Sequence, residues 1–274
     1  MERNVKLFIG QHGGNLGTCL WSQREDHQIE ISDKYFSWGW DKQNDAKVRF
    51  LSAGKLLHLR NRFSSNLSGP ILSIWASLPR YFYCSYSIPT AGQFLDYVNY
   101  QVDLTKLLEP ELLKIYKMRL DSTDFDWDLR SRFIDNGLED NVEANKIKLF
   151  DRLNDCRLCV VTHNATVFLE TFVANFPTVL FWNPEYYEIR ESAKPYFDAL
   201  HSAGILHYTP ESVAKILNKI YHNPMKWWMQ ENIQSAKDKF CEKYAYVSDN
   251  WLEEWRNELS SNDTEYYGEE KYPN

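Results

Sequence analysis

A buried strand, a polar turn and a helix follow one another over residues 160–177, and their side chains suit the binding of an anion. The hydrogen-bonding residues of the turn and helix start are Thr162, His163, Asn164 and Thr166. The helix predicted to begin at Thr166 leaves unpaired N–H groups and the positive end of its dipole beside the turn. These groups favour a phosphate at the carboxyl end of the strand.

Glu170 lies one helical turn after Thr166 and on the same helix face. A carboxylate in this position could hold the hydroxyl groups of a ribose or another sugar. An ordinary helix start, with Asn164 or Thr166 as the cap and Glu170 exposed to solvent, explains the same spacing equally well.

A glycine loop follows the first apolar run of the chain and carries a histidine. Gly13 and Gly14 let the backbone approach a ligand closely and adopt positive φ. His12, just after the predicted strand, could act as a general base when it is neutral. A hairpin turn with an exposed histidine is the alternative, and the loop matches neither GxGxxG nor a Walker A motif.

Further polar residues follow other predicted strands. Arg80 and Arg119 stand at or near two strand ends, and Asn183 and Arg190 follow a third strand. A guanidinium group can contact a phosphate through two hydrogen bonds. Each arginine alone could be a surface charge, but two at strand ends of one sheet favour a phosphate site.

The elements that must position these residues alternate between strand and helix from Gly69 onward. The predicted strands are 71–75, 113–120, 158–162, 177–182 and 205–207, and the predicted helices are 90–108, 126–134, 166–175, 189–203, 210–221, 225–244 and 248–259. This alternation predicts an α/β fold with a Rossmann-like parallel sheet and helices on both faces. Ligands bind such sheets at the carboxyl ends of the strands.

The first part of the chain differs from the rest. It shows four short strand-like runs without a helix between them: 5–9, 28–31, 35–40 and 48–51. We therefore predict the remnant of a first α/β domain over 1–66, a donor-binding domain over 67–259 and a disordered acidic tail over 260–274.

Composition excludes several classes of protein. The net charge of −7 and the absence of a Lys/Arg cluster argue against binding to nucleic acid. No apolar run approaches the ~20 residues of a membrane span, and the chain starts without a signal peptide, which favours the cytoplasm.

The five cysteines do not form a disulfide framework, because their number is odd and their spacing wide. Cys156 and Cys159 form a CxxC without a matching second pair, so packing explains them better than a metal or redox site.

Several motifs together resemble a known family. They are QHGG (11–14), SDKY (32–35), WGW (38–40), LPRY (78–81), THNAT (162–166) with Glu170 and Pro177, FWNP (181–184) and RESAKPYF (190–197). In this order they resemble transferases of bacterial surface-carbohydrate biosynthesis, of the O-antigen type. The chain is more distantly similar to CDP-glycerol glycerophosphotransferases and other GT-B glycosyltransferases. The resemblance covers residues 6–255, and 162–197 is its most specific part.

The resemblance implies the C-terminal half of a GT-B fold, in which the active site lies between two Rossmann-like domains. It implies that the second domain binds a nucleotide-activated donor without a cofactor or an obligatory metal. His12 matches the base, Arg119 matches a basic residue, and Thr162, Asn164 and Thr166 match the phosphate-binding residues. The relatives often carry a His-Pro pair at this strand end, where this chain has Arg119-Leu120-Asp121, so no second catalytic histidine is expected there.

The function expected from these observations is transfer of a sugar or polyol-phosphate group to a carbohydrate or lipid-linked acceptor. It would take place in the cytoplasm or at the inner face of the membrane. Family members carry a whole domain before the QHGG loop, so a missing N-terminal domain or a partner chain would complete the acceptor side. Two alternatives remain: a catalytically silent nucleotide-binding or assembly module, and a nucleotide-sugar epimerase, which would need a pair of carboxylates.

Overall fold

The computed structural model describes residues 5–42, 45–60, 62–82, 86–144 and 147–264. Cys84 and residues 265–274 of the predicted tail lie outside this part of the chain. A three-stranded parallel sheet in the order β1-β2-β3 comes first: β1 is Phe8–Gly10, β2 is Lys34–Ser37 and β3 is Val48–Phe50.

The second sheet has five parallel strands in the order β5-β4-β6-β7-β8. These strands are β4 Ile71–Ile74, β5 Tyr116–Arg119, β6 Leu158–Val161, β7 Thr178–Phe181 and β8 Leu206–His207. Helices cover both faces of the sheet, so the predicted α/β fold with a Rossmann-like parallel sheet is confirmed. The strand order reverses between β4 and β6, which creates a crevice at their carboxyl ends.

Helices connect most of the strands. Their bounds are α1 Gln23–Ile31, α2 Gly54–Leu57, α3 Gln93–Leu107, α4 Pro110–Ile115, α5 Leu129–Asp135, α6 Leu149–Leu153, α7 Thr166–Val173, α8 Lys194–Ser202, α9 Pro210–Ile220, α10 Pro224–Trp228, α11 Glu231–Tyr244 and α12 Trp251–Thr264, with a 3₁₀ helix at Glu139–Asn141. Helix α12 extends five residues into the segment predicted as a disordered tail.

The prediction that no helix interrupts the first block is wrong, because the run at 28–31 is the end of α1. The Ser22 side chain accepts a hydrogen bond from the Glu25 backbone N–H at 3.2 Å and so caps this helix. Glu25 and Asp26 in its first turn also suit the positive end of the helix dipole. Local capping thus outweighs the strand-like pattern of the last four residues.

The two sheets share one hydrophobic core. Tyr35 of β2 and Trp40 in the segment after it belong to the same buried cluster as Phe240 and Tyr244 of α11. The chain returns to the first sheet after α11, where the Tyr246 N–H donates to the Trp38 carbonyl at 3.0 Å. The first block is therefore stabilised by the C-terminal helices.

The CxxC cysteines pack inside the second half of the molecule. Cys156 and Cys159 are both fully buried. Burial raises the pKa of Cys156 to about 12 and that of Cys159 well above its ordinary value. Both thiols therefore stay protonated.

Gly69, just before β4, lies against the chain that leads into β6. A Cβ at this position would overlap the Asp155 carbonyl oxygen, which is backbone and cannot swing away. We expect Gly69→Ala to lower the free energy of unfolding by about 1–3 kcal/mol in urea denaturation. Gly54→Ala, where a Cβ meets nothing within 4 Å, is the matched control and should not destabilise the protein. Equal stability of both variants would contradict this packing.

Candidate functional site

A cavity of about 530 Å³ opens where the glycine loop meets the carboxyl ends of β4, β5 and β6. Most of its lining comes from four segments: 12–16, 74–78, 119–122 and, without Thr166, 163–167. The remaining lining residues are Ser22, Arg24, Tyr86, Ile88, Leu149 and Tyr187. The three strands end level with one another, since Ile74 pairs with both Arg119 and Val161. The cavity therefore occupies the crevice at which the strand order of the sheet reverses.

The glycine loop is held in place by buried hydrogen bonds. The Gln11 side-chain oxygen accepts from the Trp38 backbone N–H at 2.9 Å and from the Trp40 indole at 2.8 Å. The Gly14 N–H donates to the Thr166 hydroxyl at 2.5 Å, which ties the loop to the start of α7. Gly13 has a φ of +132°, and a Cβ there would overlap Thr166, so the approach requires glycine.

A buried carboxylate, Glu25, binds the C-terminal part of the same loop. Glu25 accepts from the Gly17 N–H at 2.5 Å and from the Arg190 guanidinium at 2.7 Å. Arg190 also donates to the Cys19 carbonyl at 3.0 Å. The Glu25–Arg190 pair contacts the loop at Gly17 and at Cys19. These contacts help to fix the loop that carries His12.

His12 is exposed at the cavity, among positive charges. Arg24 of α1 lines the same cavity, and Lys55 donates to the His12 carbonyl at 3.3 Å. Partial burial, then the charges of Arg24 and Lys55, lower the pKa of His12. Its imidazole is therefore neutral at pH 7 and able to accept a proton.

His163 and Asn164 form a buried wall of the cavity. Burial lowers the pKa of His163 to about 4, although Asp121 and the Ile74 backbone carbonyl act in the opposite direction. The Asn164 amide nitrogen donates to the Thr18 hydroxyl at 3.3 Å. The side-chain oxygen of Asn164, Oδ1, and the His163 Nδ1 have no hydrogen-bond partner in the described part of the chain.

Six of the twelve predicted site residues line the cavity: His12, Gly13, Gly14, Arg119, His163 and Asn164. Arg119 donates to the Ile147 carbonyl at 2.6 Å and lies 3.7 Å from Glu143, so part of its hydrogen-bonding capacity is used within the protein.

The other six lie outside the cavity lining: Arg80, Thr162, Thr166, Glu170, Asn183 and Arg190. Thr162 donates to the Ile74 carbonyl at 2.9 Å and is hydrogen-bonded to Tyr97. The Arg80 guanidinium lies over the Trp127 ring, 5.7 Å from its centroid.

Glu170 is buried and lies 3.7 Å from the Lys55 ammonium, so its carboxylate forms an ion pair within the protein. Burial raises the pKa of Glu170, and Lys55 opposes this shift. Asn183 accepts from the Glu185 N–H at 3.0 Å and closes a turn.

Sequence reasoning missed several residues of the site. They are Arg24, Ser77, Asp121 and Tyr187 in the cavity wall and Lys55 beside His12. Arg24 was not among the predicted site residues because it lies on α1, a helix that the sequence pattern did not predict. Ser77 and Asp121 follow the strands β4 and β5, so their position at strand ends was a usable signal.

The match to a family model covers residues 1–259 and carries the description LIC12162 family transferase. The chain belongs to this family of transferases. No curated protein is significantly similar to the transferase in sequence. Within its described residues, no helix is both long enough and apolar enough to cross a membrane.

The transferase is also similar to several solved structures. One is a provisionally assigned UDP-N-acetylglucosamine 2-epimerase from Listeria monocytogenes, with 9% identity over 91% of this chain and 64% of that one and a TM-score of 0.48. Another is the wall teichoic acid polymerase TagF, with 12% identity over 89% of this chain and 61% of that one and a TM-score of 0.43. A third is the calicheamicin glycosyltransferase CalG4, with 12% identity over 91% of this chain and 55% of that one and a TM-score of 0.42. The transferase thus spans less than two thirds of each of these proteins. Similarity at this level says nothing about its substrate.

The bond between Gly14 and Thr166 can be tested by stability. Thr166→Val keeps the shape of the side chain but leaves the Gly14 N–H without its acceptor, which should cost about 1 kcal/mol in urea denaturation. Thr166→Ser should retain most of the stability. The control is Thr171→Val, because the Thr171 hydroxyl donates to the Phe168 carbonyl within its own helix. A Thr166→Val protein as stable as the wild type would show that the bond does not hold the loop.

Proposed function

We propose that the transferase moves a sugar or polyol-phosphate group from a nucleotide-activated donor to a hydroxyl group of a carbohydrate or lipid-linked acceptor. The observation that carries the proposal is one cavity lined by a neutral histidine, His12, and by two arginines, Arg24 and Arg119. Its volume of about 530 Å³ suits a small-molecule ligand. Membership of a transferase family supports the reaction class.

In the proposed reaction His12 accepts the proton of the acceptor hydroxyl. The acceptor oxygen attacks the anomeric carbon of the sugar, or the phosphorus of the polyol phosphate. The bond from this atom to the nucleotide phosphate oxygen breaks, and the nucleotide leaves with the electron pair as an anion. Arg24 and Arg119 stabilise the charge that develops on the leaving phosphate.

The finer assignment to surface-carbohydrate synthesis, of the O-antigen type or with a CDP-polyol donor, rests on the resemblance of the sequence motifs. The proposal also places the reaction in the cytoplasm and requires neither metal nor cofactor. The epimerase alternative is less favoured, because Asp121 is the only carboxylate among the described residues that line the cavity. Its side chain accepts from the Thr123 N–H at 2.9 Å.

His12→Ala should lower the transfer rate by about 10²–10⁴-fold, since the general base is lost. Nucleotide affinity, measured by calorimetry with UDP and CDP, should stay close to that of the wild type. His27→Ala removes an exposed histidine outside the cavity lining and is the matched control. Full activity of the His12 variant would exclude this residue as the base. Nucleotide binding without turnover by the wild type would favour the silent binding module.

The pH dependence follows from the charges around His12. Because a neutral imidazole is needed, kcat/KM should rise with pH through the lowered pKa of His12 and be level above pH 7. Lys55→Met removes a positive charge that disfavours the imidazolium ion, so it should move this rise to higher pH. A profile that does not move in the Lys55 variant would contradict the electrostatic role.

A further inference from the structure

Four residues that line the cavity each carry an uncharged polar atom that is buried and has no hydrogen-bond partner in the described part of the chain. These atoms are Ser77 Oγ, His163 Nδ1, Asn164 Oδ1 and the Tyr187 hydroxyl. His163, Asn164 and Tyr187 are each more than nine-tenths buried. A buried polar group without a partner costs about 1–3 kcal/mol, so four such atoms around one cavity indicate a ligand that satisfies them.

The orientation of two of these groups is fixed by their neighbours. The Asn164 amide nitrogen donates to the Thr18 hydroxyl at 3.3 Å, which leaves its carbonyl oxygen as the unused acceptor. The Tyr187 ring packs against the Trp182 ring with 5.9 Å between their centroids. The protein therefore presents these atoms in a preorganised arrangement.

These groups are neutral at pH 7. Burial lowers the pKa of His163 to about 4 and raises the pKa of Tyr187 well above its ordinary value. A neutral imidazole has one donor and one acceptor nitrogen, a phenol both donates and accepts, and the free amide oxygen of Asn164 accepts. The buried wall thus combines acceptors with donors and carries no charge.

This chemistry differs from that of the two arginines that line the same cavity, Arg24 and Arg119. A phosphate at pH 7 offers acceptor oxygens, which would be repelled by the Asn164 carbonyl but attracted by Arg24 and Arg119. A hydroxyl group both donates and accepts, so it matches the buried wall. The two kinds of residue therefore match different parts of one ligand: the arginines match its phosphates, and the neutral residues match its hydroxyl groups.

We propose that His163, Asn164 and Tyr187 form a subsite for an uncharged polyhydroxyl group, a sugar or a polyol, whose attached phosphates lie toward Arg24 and Arg119. This inference rests on the proposed function and names the part of the donor that each group of residues recognises. Tyr187 becomes a specificity-determining residue, since its hydroxyl bonds the polyhydroxyl group and not the nucleotide.

The test compares two kinds of probe by calorimetry: UDP and CDP, and the sugar- or polyol-bearing UDP-glucose, UDP-N-acetylglucosamine and CDP-glycerol. Tyr187→Phe removes one hydroxyl and keeps the ring. It should weaken the sugar- or polyol-bearing probe that the wild type binds best by about tenfold, the effect of one hydrogen bond. Its affinity for the corresponding nucleoside diphosphate should stay within about twofold.

The matched control is Tyr35→Phe. The Tyr35 hydroxyl is also buried and has no partner in the described residues, but Tyr35 does not line the cavity, so this variant should bind both kinds of probe like the wild type. An equal loss for both kinds of probe in Tyr187→Phe, or no loss at all, would overturn the inference. So would a wild type that binds UDP or CDP but no sugar- or polyol-bearing probe. A wild type that binds no nucleotide would overturn the proposed function as well.

Discussion

The hydrogen bond from the Gly14 N–H to the Thr166 hydroxyl joins the two parallel sheets at the cavity. It brings the loop after β1 to the start of α7, although these residues are 152 positions apart in the chain. This contact helps to fix the position of His12 relative to His163 and Asn164. Two ion pairs, Glu25–Arg190 and Lys55–Glu170, also join residues of the first block to residues of the second.

Much of the second sheet could be predicted because its signals are local. The helix after β6 follows an apolar run and a polar turn, and α9 begins after Thr209, whose side chain accepts from the Ser212 N–H. Gly204 ends α8 with a φ of +79°, as expected for a residue just after a helix. Helix α1 was missed although Ser22 and Glu25 have capping spacing, because its last residues also fit a short strand.

The site could be predicted only in part. Arg119 ends β5, and His163 and Asn164 follow β6 of the same parallel sheet, so their convergence follows from the fold class. His12 follows β1 of the other sheet, and the fold class of the second sheet does not predict its place beside them. The partners of Thr166, Glu170 and Arg190 come from the first block of the chain. No local pattern indicates such partners, and these three residues support the site from outside the cavity lining.

Hydrogen–deuterium exchange, with and without a nucleoside diphosphate, tests most directly whether the cavity between the two sheets is the donor site. A ligand held there slows backbone exchange in the segments that surround it. We expect slower exchange over 12–16, 74–78, 119–122 and 163–167, with the rest of the chain little changed. Protection confined to other segments, although the nucleotide is bound, would contradict it.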